Sequence, residues 1–216
     1  MPPLDYLTVD ELKSRFPSNQ FDGAMDVVLA AAIKTASRQI DTFLKRKPGA
    51  FAVNADVTRY FKGSGTSQLW IDELAALPTT VAVAEAGQVD NASGSGGTYT
   101  TWTANDYVCW PQNALDEGMP FHRLDILLLS GLTTKSIWYG YPRAVKIVGR
   151  FGFSTSVPEE IKTATEIQAV RLWKRQQQAY SDVGAITELK QLRYVKELDP
   201  MVAAILNTPK FATSIL

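Results

Sequence analysis

The feature that most restricts this chain is a change of hydrophobic period in its middle, with helical spacing on either side. Between residue 22 and about residue 44, apolar side chains recur every three or four positions, at Leu29, Ile33, Ala36, Ile40 and Phe43, while Arg38, Asp41, Lys45 and Arg46 fall on other faces. That is the repeat of an amphipathic helix. Lys45, Arg46 and Lys47 fall in its expected last turn, where cations favour the helix dipole, and Pro48-Gly49 stops it. From about Phe51 to Phe153 the pattern changes to short β-favouring runs at 58–61, 68–71, 80–84, 99–102, 107–110, 126–129 and 144–151. Turn residues separate them, among them Gly63-Ser64-Gly65, and the run from Asn91 to Gly97 has the composition of a flexible hairpin loop. Several short strands punctuated this way predict a small sandwich or barrel.

Helical signals flank that region. Thr8 followed by Glu11 is a capping box that opens a short first helix ending before Pro17. Pro158, with Glu159 and Glu160 behind it, opens a helix running through Trp173 to about Gln178. A second amphipathic stretch, 186–198, carries Ile186, Leu189, Leu192 (or Arg193) and Val195 on one side, and Pro200 breaks it. The expected class is therefore α+β: a helical bundle, with N-terminal helices packed on a C-terminal helix, an inserted antiparallel β module and an extended C-terminal tail. The expected divisions are 1–50 with 154–200 as the helical domain, 51–153 as the β module and 201–216 as the tail.

Composition removes several function classes. Lys plus Arg equals Asp plus Glu at 22 each, a formal net charge of zero. This argues against a dedicated nucleic-acid binder or a polybasic membrane-surface protein. One cysteine, Cys109, and one histidine, His122, preclude an internal disulfide framework and count against a structural zinc site. The start, Met1-Pro2-Pro3-Leu4-Asp5, has no basic and apolar signal pattern, and no run approaches about 18 apolar residues, so neither a signal peptide nor a membrane span is expected.

Catalytic chemistry is poorly served. His122 falls in a loop-like segment, Gly118-Met119-Pro120-Phe121-His122-Arg123, without an assignable nucleophile or orienting group. Cys109, between Val108 and Trp110, reads as a buried small hydrophobe. Asp116-Glu117 and Glu159-Glu160 are adjacent pairs, whose side chains do not face each other on a strand or helix. The distance between remote carboxylates is not legible, so a glycosidase stays formally open. Gly63-Ser64-Gly65 lacks the rest of a phosphate-loop motif. No enzyme activity, cofactor or metal is expected.

Two features point toward partners instead. Arg171, Lys174 and Arg175 form a basic cluster on the helix after Pro158, either a solvated helix face or a surface near DNA or at an interface rim. The ending from Pro209 to Leu216, with Phe211, Ile215 and Leu216, is apolar for a free end; it is either unstructured or docks on a partner by strand addition or groove insertion. Trp102, Trp110, Trp138 and Trp173, with Tyr139 and Tyr141, divide between core and interface anchors, and Phe21 and Trp138 are open to both assignments.

Two groups of segments carry a family resemblance. The first is Tyr6-Leu7-Thr8-Val9-Asp10-Glu11-Leu12-Lys13, then Ala36-Ser37-Arg38-Gln39-Ile40-Asp41, then Thr58-Arg59-Tyr60-Phe61-Lys62-Gly63. The second is Val145-Lys146-Ile147-Val148-Gly149-Arg150-Phe151-Gly152, followed by Val157-Pro158-Glu159-Glu160-Ile161, Ala164 and Gln168-Ala169-Val170-Arg171-Leu172. In order and spacing the chain resembles the head-tail connector (adaptor) family of long-tailed bacteriophages over most of 1–178. It departs in a β region of about 100 residues, longer than in the smallest members, and in an extended segment from Tyr180 to Leu216. The resemblance implies a structural virion protein made in the host cytoplasm and placed in the neck between capsid and tail. There it would form a homo-oligomeric ring, commonly of twelve copies, beneath the portal protein. The C-terminal segment would reach the portal, the β module would face outward or toward the next neck or tail-completion protein, and double-stranded DNA would pass through without sequence recognition. The alternatives are another neck or tail-completion protein, or a carbohydrate-binding adhesive module using the aromatic residues of the β region.

Overall fold

The structure is a computed structural model that describes residues 4–16, 25–84, 97–128, 135–181 and 198–211, with 178–181 described for backbone alone. The chain contains helices and antiparallel sheets, an α+β fold, and divides into two compact units. One is Met1–Ala52 with Val157–Leu216; the other is Val53–Ser156.

In the first unit the capping box forms around helix α1, Val9–Ser14. The Thr8 hydroxyl accepts from the Glu11 N–H at 3.2 Å, and the Thr8 N–H donates to Glu11 Oε2 at 2.8 Å. Helix α2, Asp26–Phe43, buries Leu29, Ile33, Ala36 and Ile40 as its spacing predicts. Phe43 departs from that stripe, at 39% exposure, and Leu44 takes the buried place one turn beyond Ile40. Lys45, Arg46 and Lys47 do not lie in the last helical turn: the helix ends at Phe43, and Lys45 adopts a left-handed conformation with φ 54°. The Lys45 N–H bonds the Thr42 carbonyl at 3.1 Å and the Arg46 N–H the Asp41 carbonyl at 2.8 Å, the paired bonds of a Schellman closure.

Helix α3, Glu159–Ser181, starts directly after Pro158. Its Ala169 and Trp173 pack with Leu29, Ala32, Ile33 and Ala36 of α2 and with Leu7 and Leu12. Pro200 opens a helix, α4, Pro200–Leu206, because Asp199 stands before it as the N-cap and proline suits the first helical position. Val202 and Leu206 bury, and a 3₁₀ turn, Pro209–Phe211, follows. Residues 201–211 are thus folded, not extended. The amphipathic stretch at 186–198 lies outside the described residues but for Leu198, as do 91–96 of the expected hairpin loop and Phe21.

Among its described residues the second unit holds seven strands: β1 (Val57–Phe61), β2 (Gln68–Leu74), β3 (Thr80–Val83), β4 (Thr100–Trp102), β5 (Tyr107–Trp110), β6 (Phe121–Ile126) and β7 (Val145–Gly149). They form a four-stranded sheet in the order β1-β7-β3-β4 and a three-stranded sheet in the order β2-β6-β5. One apolar core serves both, with Val81, Val83, Trp102, Val145 and Ile147 from the first sheet and Leu69, Ile71, Cys109, Leu124 and Ile126 from the second. Trp138 is fully buried there, which assigns it to the core of this unit. Its indole stacks on Trp102 at 4.5 Å and donates from Nε1 to the Ser67 carbonyl at 3.1 Å. One strand is displaced from its expected place. The run expected at 126–129 lies earlier, as β6, so His122 sits in a strand and not in a loop. Pro120 ends the preceding turn, and Leu124 and Ile126 then alternate inward against β2 and β5.

Candidate functional site

The first motif segments meet inside the helical unit. Tyr6 is 1% exposed and Asp41 2%, and the Tyr6 hydroxyl donates to Asp41 Oδ1. Asp41 Oδ2 receives the Gly49 N–H at 3.3 Å and pairs with Arg38 Nη1 at 3.2 Å. The Tyr6 N–H donates to Ser37 Oγ at 3.2 Å, and Arg38 Nη2 donates to the Leu4 carbonyl at 2.8 Å. Residues spaced i, i+1 and i+4 along α2 therefore clamp the N-terminal segment and the turn after α2. Burial pushes the Asp41 carboxyl up, against the opposing pull of Tyr6, Arg38 and Gly49; burial and the Asp41 charge push the Tyr6 hydroxyl up.

The basic cluster is not a uniform patch. Arg171 Nη1 donates to Asp199 Oδ2 at 3.1 Å, and Asp199 Oδ1 accepts from the Met201 N–H at 2.9 Å. Gln168 extends the network: its Oε1 accepts from the Asp199 N–H at 3.2 Å and its Nε2 donates to Gln39 Oε1 at 2.7 Å. Arg171 thereby fastens the start of α4 to α3, whereas Lys174 and Arg175, one turn further on, are exposed. Of the expected docking-tail residues, Pro209 is exposed and Phe211 is buried at 1%. Phe211 packs edge-on against Phe51 at 5.7 Å, and Arg46 Nη2 donates to its carbonyl at 3.3 Å. Ile215 and Leu216 lie outside the described residues.

In the β unit, Arg59 pairs with Asp72 and lies over the Phe151 ring at 4.4 Å. Gly63 and Gly149 are places of close approach: a Cβ on Gly63 would fall 1.8 Å from the Tyr139 carbonyl oxygen, and one on Gly149 would fall 2.9 Å from Leu74 Cδ1. Cys109 is buried and its thiol is pushed up to about 12, which leaves it a neutral hydrophobe. On the outer side of the three-stranded sheet, Trp70, Arg123 and Trp110 stand in register, with Arg123 over Trp70 at 5.3 Å and over Trp110 at 5.1 Å. His122 stacks on Trp70 at 5.5 Å, and burial and Arg123 hold its imidazole below the usual range against the pull of Glu73. This row escaped sequence reading, because nothing local puts Trp70, Trp110 and Arg123 side by side. The indole of Trp70 is contacted by His122 and Arg123 and stays 44% exposed. Among the described residues no group of three or more His, Cys, Asp or Glu side chains could hold a metal ion, and no helix is long and apolar enough to cross a membrane.

No protein-family model matches the chain, and no curated protein does. Solved structures do. A chain described as the neck of an empty GTA particle computed with C6 symmetry is 17% identical, with a TM-score of 0.51 over 98% of this chain and 91% of its own. A chain from the virion of a native gene transfer agent (GTA) particle is 18% identical, with a TM-score of 0.50 over 98% of this chain and 92% of its own. What is shared is the fold, across nearly the whole length of both chains.

Proposed function

We propose that the chain is a structural protein of a tailed-phage-like particle, a head-to-tail connector subunit of the neck. The observation that carries this reading is the end-to-end likeness in fold to a neck chain of a GTA particle. It agrees with the connector resemblance that begins at Tyr6 and runs past Pro158. In this role the helical unit, a bundle of N-terminal helices on the C-terminal one, forms the body of a homo-oligomeric ring of about a dozen copies, a closed cyclic assembly of head-to-tail contacts. The ring docks beneath the portal protein, receives the next neck or tail-completion protein and passes double-stranded DNA. The exposed Lys174 and Arg175 suit a channel or an interface rim. The portal-docking part of the tail is then 212–216, with Ile215 and Leu216, since Phe211 is engaged within its own unit.

Native mass spectrometry of the purified chain, with negative-stain images of the same sample, tests the reading. A closed ring, alone or on addition of the matching portal, is the expected result. A monomer that stays monomeric and ignores the portal would overturn it.

A further inference from the structure

Among the described residues two non-glycine residues hold a left-handed backbone, Lys45 at φ 54° and Arg143 at φ 58°. This conformation costs an ordinary residue about 1–2 kcal/mol relative to its right-handed form, and glycine is the usual occupant at the end of a helix. Arg143 has a reason within the chain: its guanidinium lies 3.8 Å from the centre of the Tyr60 ring. Lys45 has none. Its backbone closes α2, a task glycine would do with less strain, while its side chain is exposed and makes no hydrogen bond or ion pair among the described residues. Lys47, two residues on, is also exposed and without such a partner among them. Between them Arg46 turns inward, over Phe51 at 5.5 Å and onto the Phe211 carbonyl. Asp41, one helical turn before Lys45, is already engaged by Tyr6, Arg38 and Gly49.

We infer that the turn at the end of α2 is a second anion-contacting site, in which Lys45 and Lys47 bear on the phosphate backbone of double-stranded DNA. The inference rests on the connector reading, in which DNA passes the ring. The chemistry of the turn favours nucleic acid over an acidic protein. Lysine is a compact point charge on a flexible stem, suited to phosphates that slide past without fixed register. Lys45 and Lys47 are the exposed charged residues of the turn Lys45-Arg46-Lys47-Pro48-Gly49, and lysine is depleted from the cores of protein interfaces.

The test is binding of the full chain to a short mixed-sequence duplex across a salt series, for the parent, Lys45→Gly, Lys45→Gly with Lys47→Gln, and Lys45→Arg. Lys45→Gly relieves the backbone, so its unfolding midpoint is expected to hold or rise while DNA affinity falls several-fold. The double variant is expected to lower the slope of log affinity against log salt by about 2, roughly one unit per phosphate contact, and Lys45→Arg to keep it. A slope unchanged in the double variant would overturn the inference. So would loss of binding to polyglutamate with DNA binding intact, which would assign the turn to an acidic protein. Ring formation by these variants is scored separately, so a chain that forms rings with an unmoved DNA slope refutes this site alone.

Discussion

Replacing Phe211 by alanine distinguishes a docking residue from a core residue. Phe211 is 1% exposed and meets Phe51 edge-on at 5.7 Å. Removing a buried phenyl ring loses about 1.5–3 kcal/mol of transfer free energy, and the edge-to-face contact adds about 0.5–1.5 kcal/mol. With the cavity left behind, the expected loss is about 3–5 kcal/mol. The loss is capped by local opening: if 199–211 detaches at a smaller cost than that, the measured change stops there. Urea unfolding of the free chain, followed in the transition of the helical unit, gives the number. Met201→Ala, in the same segment but at 62% exposure, is the control and should stay within about 0.5 kcal/mol of the parent. If Phe211→Ala also stayed within about 0.5 kcal/mol, the ring would not be part of the core of the free subunit, and the assignment of docking to 212–216 would fall with it.

Gly63→Ala should cost the β unit at least about 3 kcal/mol, because the new methyl meets the Tyr139 carbonyl, a backbone atom held in place by the Gly65 N–H to Trp138 carbonyl bond at 2.7 Å and the Trp138 N–H to Thr66 carbonyl bond at 2.8 Å. Gly65→Ala, with φ +75° and open space around it, should cost only about 1–2 kcal/mol, and equal losses at the two glycines in thermal unfolding would contradict the close approach. Asp41 sets a pH dependence. Its folded carboxyl is held above the ordinary range, so its contribution to the stability of the helical unit is full below the unfolded value and is lost as pH rises through the folded one. Asp41→Asn, whose single side-chain oxygen can still accept from Tyr6 but whose NH2 group cannot replace Oδ2 as acceptor for Gly49, should be less stable and should flatten that part of the stability profile between pH 3 and 7; a profile of the same shape as the parent's would refute the shift.

Elements were legible where spacing and punctuation agreed. Thr8 with Glu11, and Pro158 ahead of two glutamates, mark helix starts through local bonds that a sequence displays. The misreadings share a cause in backbone choices that the residue type does not dictate. Lys45 occupies a conformation that glycine would announce, so the end of α2 near residue 44 is legible while the exclusion of Lys45, Arg46 and Lys47 from its last turn is not. Strand β6 was hidden because His122 and Arg123 are consecutive polar residues after a proline turn, and the register of β2 against β6 itself shifts between Trp70 and Leu74. In the site, the spacing of Arg171, Lys174 and Arg175 revealed a shared helix face. The partner that removes Arg171 from it, Asp199, lies 28 residues away, beyond anything that local periodicity can carry.

The residues behind the connector resemblance prove to be mostly those that build the fold. Tyr6, Ser37, Arg38 and Asp41 clamp the helical unit, while Arg59, Gly63 and Gly149 fix close packing in the β unit. A resemblance resting on such positions transmits architecture, since buried polar bonds and glycine contacts tolerate little change. It transmits much less about partners, which meet exposed side chains. Lys174, Lys45 and Lys47 are exposed and stand outside both apolar cores. It is therefore at these surface positions, and not in the motifs, that variants should separate assembly and DNA passage from folding: substitutions there ought to leave both unfolding transitions in place while changing ring formation, portal docking or the salt slope of DNA binding.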